Sequence, residues 1–318
     1  MNPFAEDGEW LRCALHAHSL ESDGDLPPEA LAAHYEGLGF DVLAITDHWR
    51  LTKVGSIRSL LTVPGAELTF DLPEPGRVGE VLAFGIREIP ADPGGKRENW
   101  YTDPVEHWEQ RTFPNLDAAA RYVGDQGGVT YLAHPYWSGL DPRIGIEAEG
   151  VAGLEVWNAT GELETGRGDS SPWWDALLEA GREAFGIATD DSHYPLFDIG
   201  HAWTWVRVHE RSEAAVVHAL RSGAAYLSAG PKLYDAHRDG PIVEVSCSPC
   251  RAVFMQMEAE RGCSVVAGDR GRRFGRILET SDDGLITRAR IESPWPDPAY
   301  VRLRAVDAQG RCAWTNPL

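Results

Sequence analysis

Two histidines two residues apart, His16 and His18 in "LHAHSLESDGD", followed by Asp23, are the first residues along the chain equipped for chemistry. In an extended strand side chains alternate faces, so His16 and His18 point one way and Ala17 the other. Imidazole is the commonest neutral metal ligand near pH 7, and a His-x-His pair at a strand end is half of a metal site. Similar residues recur after other apolar runs: "AITDHW" ends in Asp47 and His48, "PGAELTF" carries Glu67, "YLAHPYW" reaches His134, and "ATDDSHY" reaches Asp191 and His193. Five of the eleven histidines fall at such ends. A histidine that merely packs in a core or sits in solvent need not respect strand termini, so the set points to a metal-ion centre.

The elements that must hold these residues read as follows. "WLRCAL" is a buried strand, and "ESDGDLPPEALAAHYEGLGF" is a turn followed by a helix with an apolar face. Further strand-like runs ("DVLAITDH", "VLAFGI", "GGVTYLAHP", "GLEVWNA", "HAWTWVRV") are interspersed with helical patterns such as "NLDAAARYVGDQ", "PWWDALLEAGR" and "SEAAVVHALRSG". That rhythm predicts a largely parallel α/β sheet or barrel, which places chemistry at the C-terminal ends of its strands. After "AGPKLYDAHRDGP" the helices stop, and "IVEVSCS", "AVFMQMEA", "TRARIES" and "YVRLRAVDAQGRCAWTNPL" read as a small all-β domain. The expected division is 1–235 and 236–318.

Composition narrows the function classes. The 318 residues carry 29 Lys and Arg against 49 Asp and Glu, a net charge of −20. Such a surface repels nucleic acid and anionic membrane, and the expected partner is a small-molecule substrate; nothing in the sequence sets an oligomeric state. No run approaches the roughly 18 apolar residues of a spanning helix. "MNPFAEDGEW" lacks signal-peptide character, so a cytoplasmic protein is expected. The five cysteines include a C-x-x-C, Cys247 and Cys250, but the second hook of a zinc knuckle is missing, and the thiols read as structural.

Taken in order, His-x-His, Ser-Asp-Gly, Thr-Asp-His, Gly-x-Glu, Ala-His-Pro and Asp-x-His resemble the polymerase and histidinol phosphatase (PHP) superfamily of metal-dependent hydrolases, over residues 11 to about 205. "HALRSGAAYLSAGPKL" and "RCAWTNPL" are similar to its carbaryl-hydrolase-like metallohydrolase branch, which adds a C-terminal β-sandwich. The resemblance implies a distorted (β/α)7 barrel holding two or three divalent ions, Mn, Fe or Zn. It assigns the first ion to His16, His18, Glu67 and Asp191, the second to Glu67 and His134, and the third to Asp23, His48 and His193. Glu67 bridges two of them, and Asp47 orients a ligand. One position departs from the superfamily, which supplies another histidine to the second ion: "VGEVLAFG" offers Glu80, with His107 a remote substitute.

The chemistry so implied is hydrolysis by a bridging hydroxide, since paired divalent ions bring the pKa of bound water near neutrality and neutralise a developing oxyanion. Glu67, Asp191 and His193 are the expected catalytic residues, with His193, His201 or a metal-bound water as general acid. No Gly-x-Ser-x-Gly elbow offers a side-chain nucleophile. A phosphoester is the first expectation for the substrate, on superfamily grounds. Carbamate, ester or amide hydrolysis is the alternative, favoured by aromatic residues in the strand-end loops, and a non-catalytic metal-binding module is the third reading. Arg50, Lys53, Arg143, Arg167 and Lys232 could meet a phosphate. Trp49, Tyr136, Trp137, Trp157, Trp173, Trp174 and Tyr194 could meet an apolar group, and Asn158 is a polar contact.

Overall fold

The computed structural model describes residues 2–55, 59–74, 77–95, 111–268 and 274–318. The chain runs β1 (Glu9–Ala14), α1 (Pro28–Gly37), β2 (Val42–Leu43), β3 (Leu61–Thr62), β4 (Gly65–Asp71), β5 (Val78–Phe84), α2 (Leu116–Asp125), β6 (Val129–Leu132), α3 (Pro142–Glu147), β7 (Val151–Asn158), α4 (Ala159–Thr165), α5 (Ser171–Glu179), β8 (Phe185–Thr189), β9 (Trp203–Val208), α6 (Glu213–Ser222) and β10 (Ala225–Ser228). Strands alone follow among the described residues: β11 (Leu233–Asp239), β12 (Ile242–Gln256), β13 (Gly262–Val266), β14 (Gly275–Thr280), β15 (Ile286–Glu292), β16 (Arg302–Asp307) and β17 (Cys312–Thr315). Helix boundaries follow their caps. Asn115 accepts the Ala118 N–H at the start of α2, Ser212 accepts the Ala215 N–H at the start of α6, and Gly223, left-handed at φ 70°, ends α6.

The protein is a mixed α/β fold built on two sheets. One has the order β14-β15-β12-β16-β17-β10-β9-β1-β2-β3, with β11 and β13 also on β12; the other is β4-β5-β6-β7-β8. Two isolated parallel bridges, Ala17 to Ser192 and His48 to Glu67, join the sheets where β1 and β8 run out and where β2 continues past β4. The expected largely parallel pairing holds for β1-β2-β3 and β6-β7-β8, but β4-β5-β6 and β1-β9-β10 are antiparallel. β4 and β5 show why: the few residues between them leave no room for the crossover that a parallel pair requires.

The second sheet is buried on both faces, so its strands are near-continuous apolar runs rather than alternating ones. In β5, Val81 and Ala83 pack with Phe113, Leu116 and Trp174, while Leu82 and Phe84 pack with Leu11, Cys13 and Val42 from the first sheet. A third core, with Val243, Met255 and Leu303, lies among β11–β17 and takes in Tyr226 of β10. The five cysteines are free and buried, Cys247 and Cys250 both in β12.

Arg302 of β16, fully buried, ties the late strands to α5. Its Nη2 lies 2.6 Å from Asp175 Oδ1, its Nη1 donates to Gln256 Oε1, and its guanidinium stacks over Trp174. Asp175→Ala strands that cation in the interior and is expected to destabilise the protein by about 2–4 kcal/mol. Urea unfolding checks this, and a loss below measurement error would show that Gln256 and Trp174 suffice. No helix among the described residues is long and apolar enough to cross a membrane.

Candidate metal centre

Strand ends and the turns after them bring the nominated residues to one place. His16 and His18 follow β1, Asp23 lies in the next turn, His48 follows β2, Glu67 is on β4, Glu80 on β5, His134 follows β6, and Asp191 and His193 follow β8. His16 Nε2 lies 3.1 Å from His18 Nε2, Glu67 Oε2 and Asp191 Oδ1, and His18 Nε2 lies 3.2 and 3.3 Å from the same two oxygens. Tetrahedral donors about 2.0–2.1 Å from a common centre are about 3.3 Å apart, so this set fits a metal ion such as zinc.

The neighbouring donors surround that set. His134 Nε2 is 3.2 Å from Glu67 Oε1 and 3.8 Å from Glu80 Oε2; His48 Nδ1 is 3.6 Å from Glu67 Oε2 and 3.8 Å from Glu80 Oε1. Glu80 thus stands between two histidines and beside Glu67. On the other side Asp23 reaches His18 Nδ1 at 3.1 Å, His193 Nε2 at 3.0 Å and His48 Nε2 at 3.7 Å. His107 lies outside the described residues.

Outer hydrogen bonds fix which nitrogen each ring presents. Glu155, wholly buried in β7, accepts from His16 Nδ1 at 2.8 Å, from the His134 backbone N–H at 2.8 Å, from Asn158 Nδ2 and from the Thr189 hydroxyl. His193 Nδ1 donates to the Asp191 carbonyl at 2.9 Å, and His134 Nδ1 meets Ser138 Oγ at 2.8 Å. Asn158 donates to Asp191 Oδ2 at 3.1 Å and caps α4, so it positions a carboxylate. Asp47 accepts from Ser19 N–H and from the hydroxyls of Ser19, Ser22 and Thr52, pinning the turn that carries Asp23. His134 (φ 25°) and Asp191 (φ 58°) are both left-handed, a conformation that costs a non-glycine residue about 1–3 kcal/mol and persists when surrounding bonds hold it. The bonds from Glu155 to the His134 N–H and from the Asp191 N–H to the His16 carbonyl do so here.

The charges interlock. Burial lowers the His16 and His18 imidazoles, but the surrounding carboxylates, Asp191 foremost for His16 and Asp23 for His18, carry both well above the ordinary value. His134 is raised to about 9 against its own burial, chiefly by Glu67, whereas burial takes His48 down to about 4. Burial would raise Glu67, Asp23 and Asp191, yet the histidines hold all three well below the carboxylate range. Glu80 goes the other way, to about 8, through burial and then the repulsion of Glu67.

The other nominated residues supply no donor atom to the cluster. His201 is exposed and gives only its backbone N–H to Asp190, the buried carboxylate that also takes the Gly200 and Ala202 N–H groups and so is not the cluster's aspartate. Arg50 is exposed and paired with Glu21 at 3.0 Å, Arg143 with Asp141, and Lys232 stacks near Trp205. Trp49 and Trp174 are buried core residues, and Trp157 packs on Trp314. Tyr136, Trp137 and Tyr194 are exposed, with the Trp137 ring edge-on to His134 at 5.0 Å.

Glu155 escaped the sequence reading, and its signal was a lone carboxylate inside the apolar strand "GLEVWN". Glu155→Gln keeps its size but weakens the anchor of two histidines; metal affinity is expected to fall about 10–100-fold. Calorimetric titration checks this, and unchanged affinity would leave Glu155 a packing residue.

A buried cluster of histidine, glutamate and aspartate, fit for a metal ion and set at strand ends of a mixed α/β fold, defines the kind of site present. Among solved structures the chain is similar to a two-domain protein containing a predicted PHP-like metal-dependent phosphoesterase from Bacteroides vulgatus (16% identity, TM-score 0.49, 98% of this chain and 96% of that one). It is also similar to a candidate metal-dependent phosphoesterase from Bifidobacterium adolescentis (18%, 0.40, 59% and 89%) and to an amidohydrolase from Chromobacterium violaceum with bound sulfate and no metal (15%, 0.43, 67% and 96%). No family model and no curated protein matches the chain.

Proposed function

We propose that this chain is a metal-dependent hydrolase that cleaves a phosphoester of a small molecule in the cytoplasm, using two or three Mn, Fe or Zn ions. The observation that carries the reading is the convergence of His16, His18, Glu67 and Asp191 at metal-ligand spacing, with His134, Glu80, His48, Asp23 and His193 on either side. Bound divalent ions would supply an ionised water near neutral pH and offset charge on the leaving oxygen. Glu67, with one carboxylate oxygen toward His16 and His18 and the other toward His134, would hold two ions together. Asp191, just past β8 and held by its bond from Asn158, would complete the first donor set. His193, with its Nδ1 proton on the Asp191 carbonyl and Nε2 at Asp23, would be a ligand in a three-ion centre or, with two ions and a second proton on Nε2, would pass that second proton to the leaving oxygen.

The architecture proposed with it is a distorted (β/α)7 barrel over 1–235 and a β-sandwich domain over 236–318. Two isolated bridges between the sheets, Ala17 to Ser192 beyond β1 and β8 and His48 to Glu67 between the segment after β2 and β4, support the barrel. A second reading, hydrolysis of a carboxylic ester, carbamate or amide, is favoured by one observation: no arginine or lysine pairs with Asp23, Glu67, Glu80 or Asp191 among the described residues.

Elemental analysis after reconstitution tests the centre, and assays on p-nitrophenyl phosphate, bis-p-nitrophenyl phosphate and an aryl carbamate separate the reactions. At least two metal equivalents are expected, with Glu80→Ala losing about one of them. Less than one equivalent in the wild type overturns the proposal.

A further inference from the structure

Among the described residues, most of the large apolar side chains left in water lie close in the chain to residues of the metal cluster. Leu20 lies two residues beyond His18, Trp137 three beyond His134, Leu163 on the helix capped by Asn158, and Tyr194, Leu196 and Phe197 within four residues of His193. Leu196 is 99% exposed and Leu20 59%. Elsewhere among the described residues the exposed large apolar side chains are Leu38, Tyr234, Phe254 and Leu278, and isolated ones need no explanation.

These side chains are held in place. The Trp137 ring packs edge-on to His134, and its Cβ lies so near Gly161 that a side chain there would touch it at 3.4 Å. The turn carrying Leu196 and Phe197 is tied down by buried Asp198, whose carboxylate accepts the His193 and Tyr194 N–H groups and lies 3.3 Å from the Thr160 hydroxyl. A flexible loop could fold its apolar residues inward; a clamped turn with an outward leucine keeps apolar surface hydrated until something covers it. The local charges add a second constraint. Among the described residues the centre's carboxylates pair with histidines and not with arginine or lysine, Arg50 is engaged by Glu21, and Arg167 lies over the Tyr136 ring, so no side-chain cation is part of the cluster itself.

We infer that the site selects substrates whose ester carries an aryl or bulky branched apolar group, which Trp137, Tyr194, Leu196 and Phe197 cover while the ester lies on the metal centre. The inference rests on the hydrolase reading and names its substrate class. In the reaction one water is consumed: its oxygen bonds to phosphorus, the phosphorus–oxygen bond to the apolar group breaks, and that group leaves as an alcohol or phenol carrying a proton.

Phenylphosphonate and methylphosphonate share the anionic head, differ in the apolar group and cannot be hydrolysed at a phosphorus–oxygen ester bond. Each is titrated calorimetrically into manganese-loaded protein whose metal content has been measured. The phenyl compound is expected to bind at least about tenfold more tightly, in line with the worth of covering an aromatic ring. In Trp137→Ala and, separately, Leu196→Ser, that ratio is expected to fall several-fold, with metal content and methylphosphonate affinity unchanged. Leu196 is wholly exposed, so its variant keeps the test open if Trp137→Ala fails to fold. Equal affinities in the wild type, or a ratio that neither variant moves, overturn the inference and leave the hydrolase reading standing. A metal-loaded protein that binds neither compound overturns the phosphoester reading and this inference with it.

Discussion

Glu67→Gln is expected to lower hydrolysis by roughly a thousandfold or more, well beyond the 10–100-fold typical of residues that only orient a ligand. The reason is positional. One Glu67 oxygen faces His16 and His18, the other faces His134, and His48 stands 3.6 Å away, so a single carboxylate serves donors on three sides. Glutamine keeps the shape, but one of the two positions becomes an amide nitrogen with no lone pair to give. The fold should survive, because Glu67 is paired inside β4–β5 by its backbone, and the substitution removes negative charge from a crowded carboxylate group. Turnover on p-nitrophenyl phosphates, metal content and thermal unfolding measured together check the result. Near-normal turnover with full metal content would mean that Glu67 does not bridge.

The second large effect is on protons. Without metal, His134, raised to about 9, and Glu80, at about 8, hold protons at pH 7, and the surrounding carboxylates favour the protonated forms of His16 and His18. Each must give up its proton to coordinate, so loading is expected to release about two to four protons per chain and to strengthen about tenfold per pH unit for each proton displaced. The sign follows from the raised values: protons win below them, and the advantage of higher pH fades once His134 passes about 9. Manganese titrations in buffers of different ionisation enthalpy give the proton count, and repeating them from pH 6 to 9 gives the slope. A heat independent of buffer together with a flat affinity would contradict the cluster's charge pattern.

The site was more legible in the sequence than the sheet that carries it. A strand end exposes its last inward-facing residues, so His16, His18, His134 and Asp191 announce themselves by type and spacing, and all come within a few ångströms. Glu80 was readable only as a residue standing where a histidine was expected; its place between His48 and His134 depends on the antiparallel register of β5 with β4. Glu155 stayed hidden because alternation alone does not say which face of a doubly buried strand looks into a polar centre. His201 was misleading because it precedes a strand rather than following one, and its ring turns outward while its backbone serves Asp190. The antiparallel pairings of β1 with β9 and of β4 with β5 depend on tertiary contacts and on connection length, which a pattern of helices and strands does not carry.

The strand that leads into His16 and His18 is made long before one of its two neighbours: β2 follows within about thirty residues, β9 only after about 190. β1 pairs with β9, β9 with β10, and β10 with β17, so its sheet draws on residues from Glu9 to Thr315, whereas β4 to β8 assemble from one continuous stretch of chain. At about 5–20 residues per second, β1 waits roughly ten to forty seconds for β9 to be synthesised. During that time the side of β1 away from β2 is an unpaired edge. The donor cluster is thereby framed on both sides of β1 only after β9 has been made: a chain that stops at β8 has the β4–β8 donors but lacks the strand that flanks the approach to the two histidines.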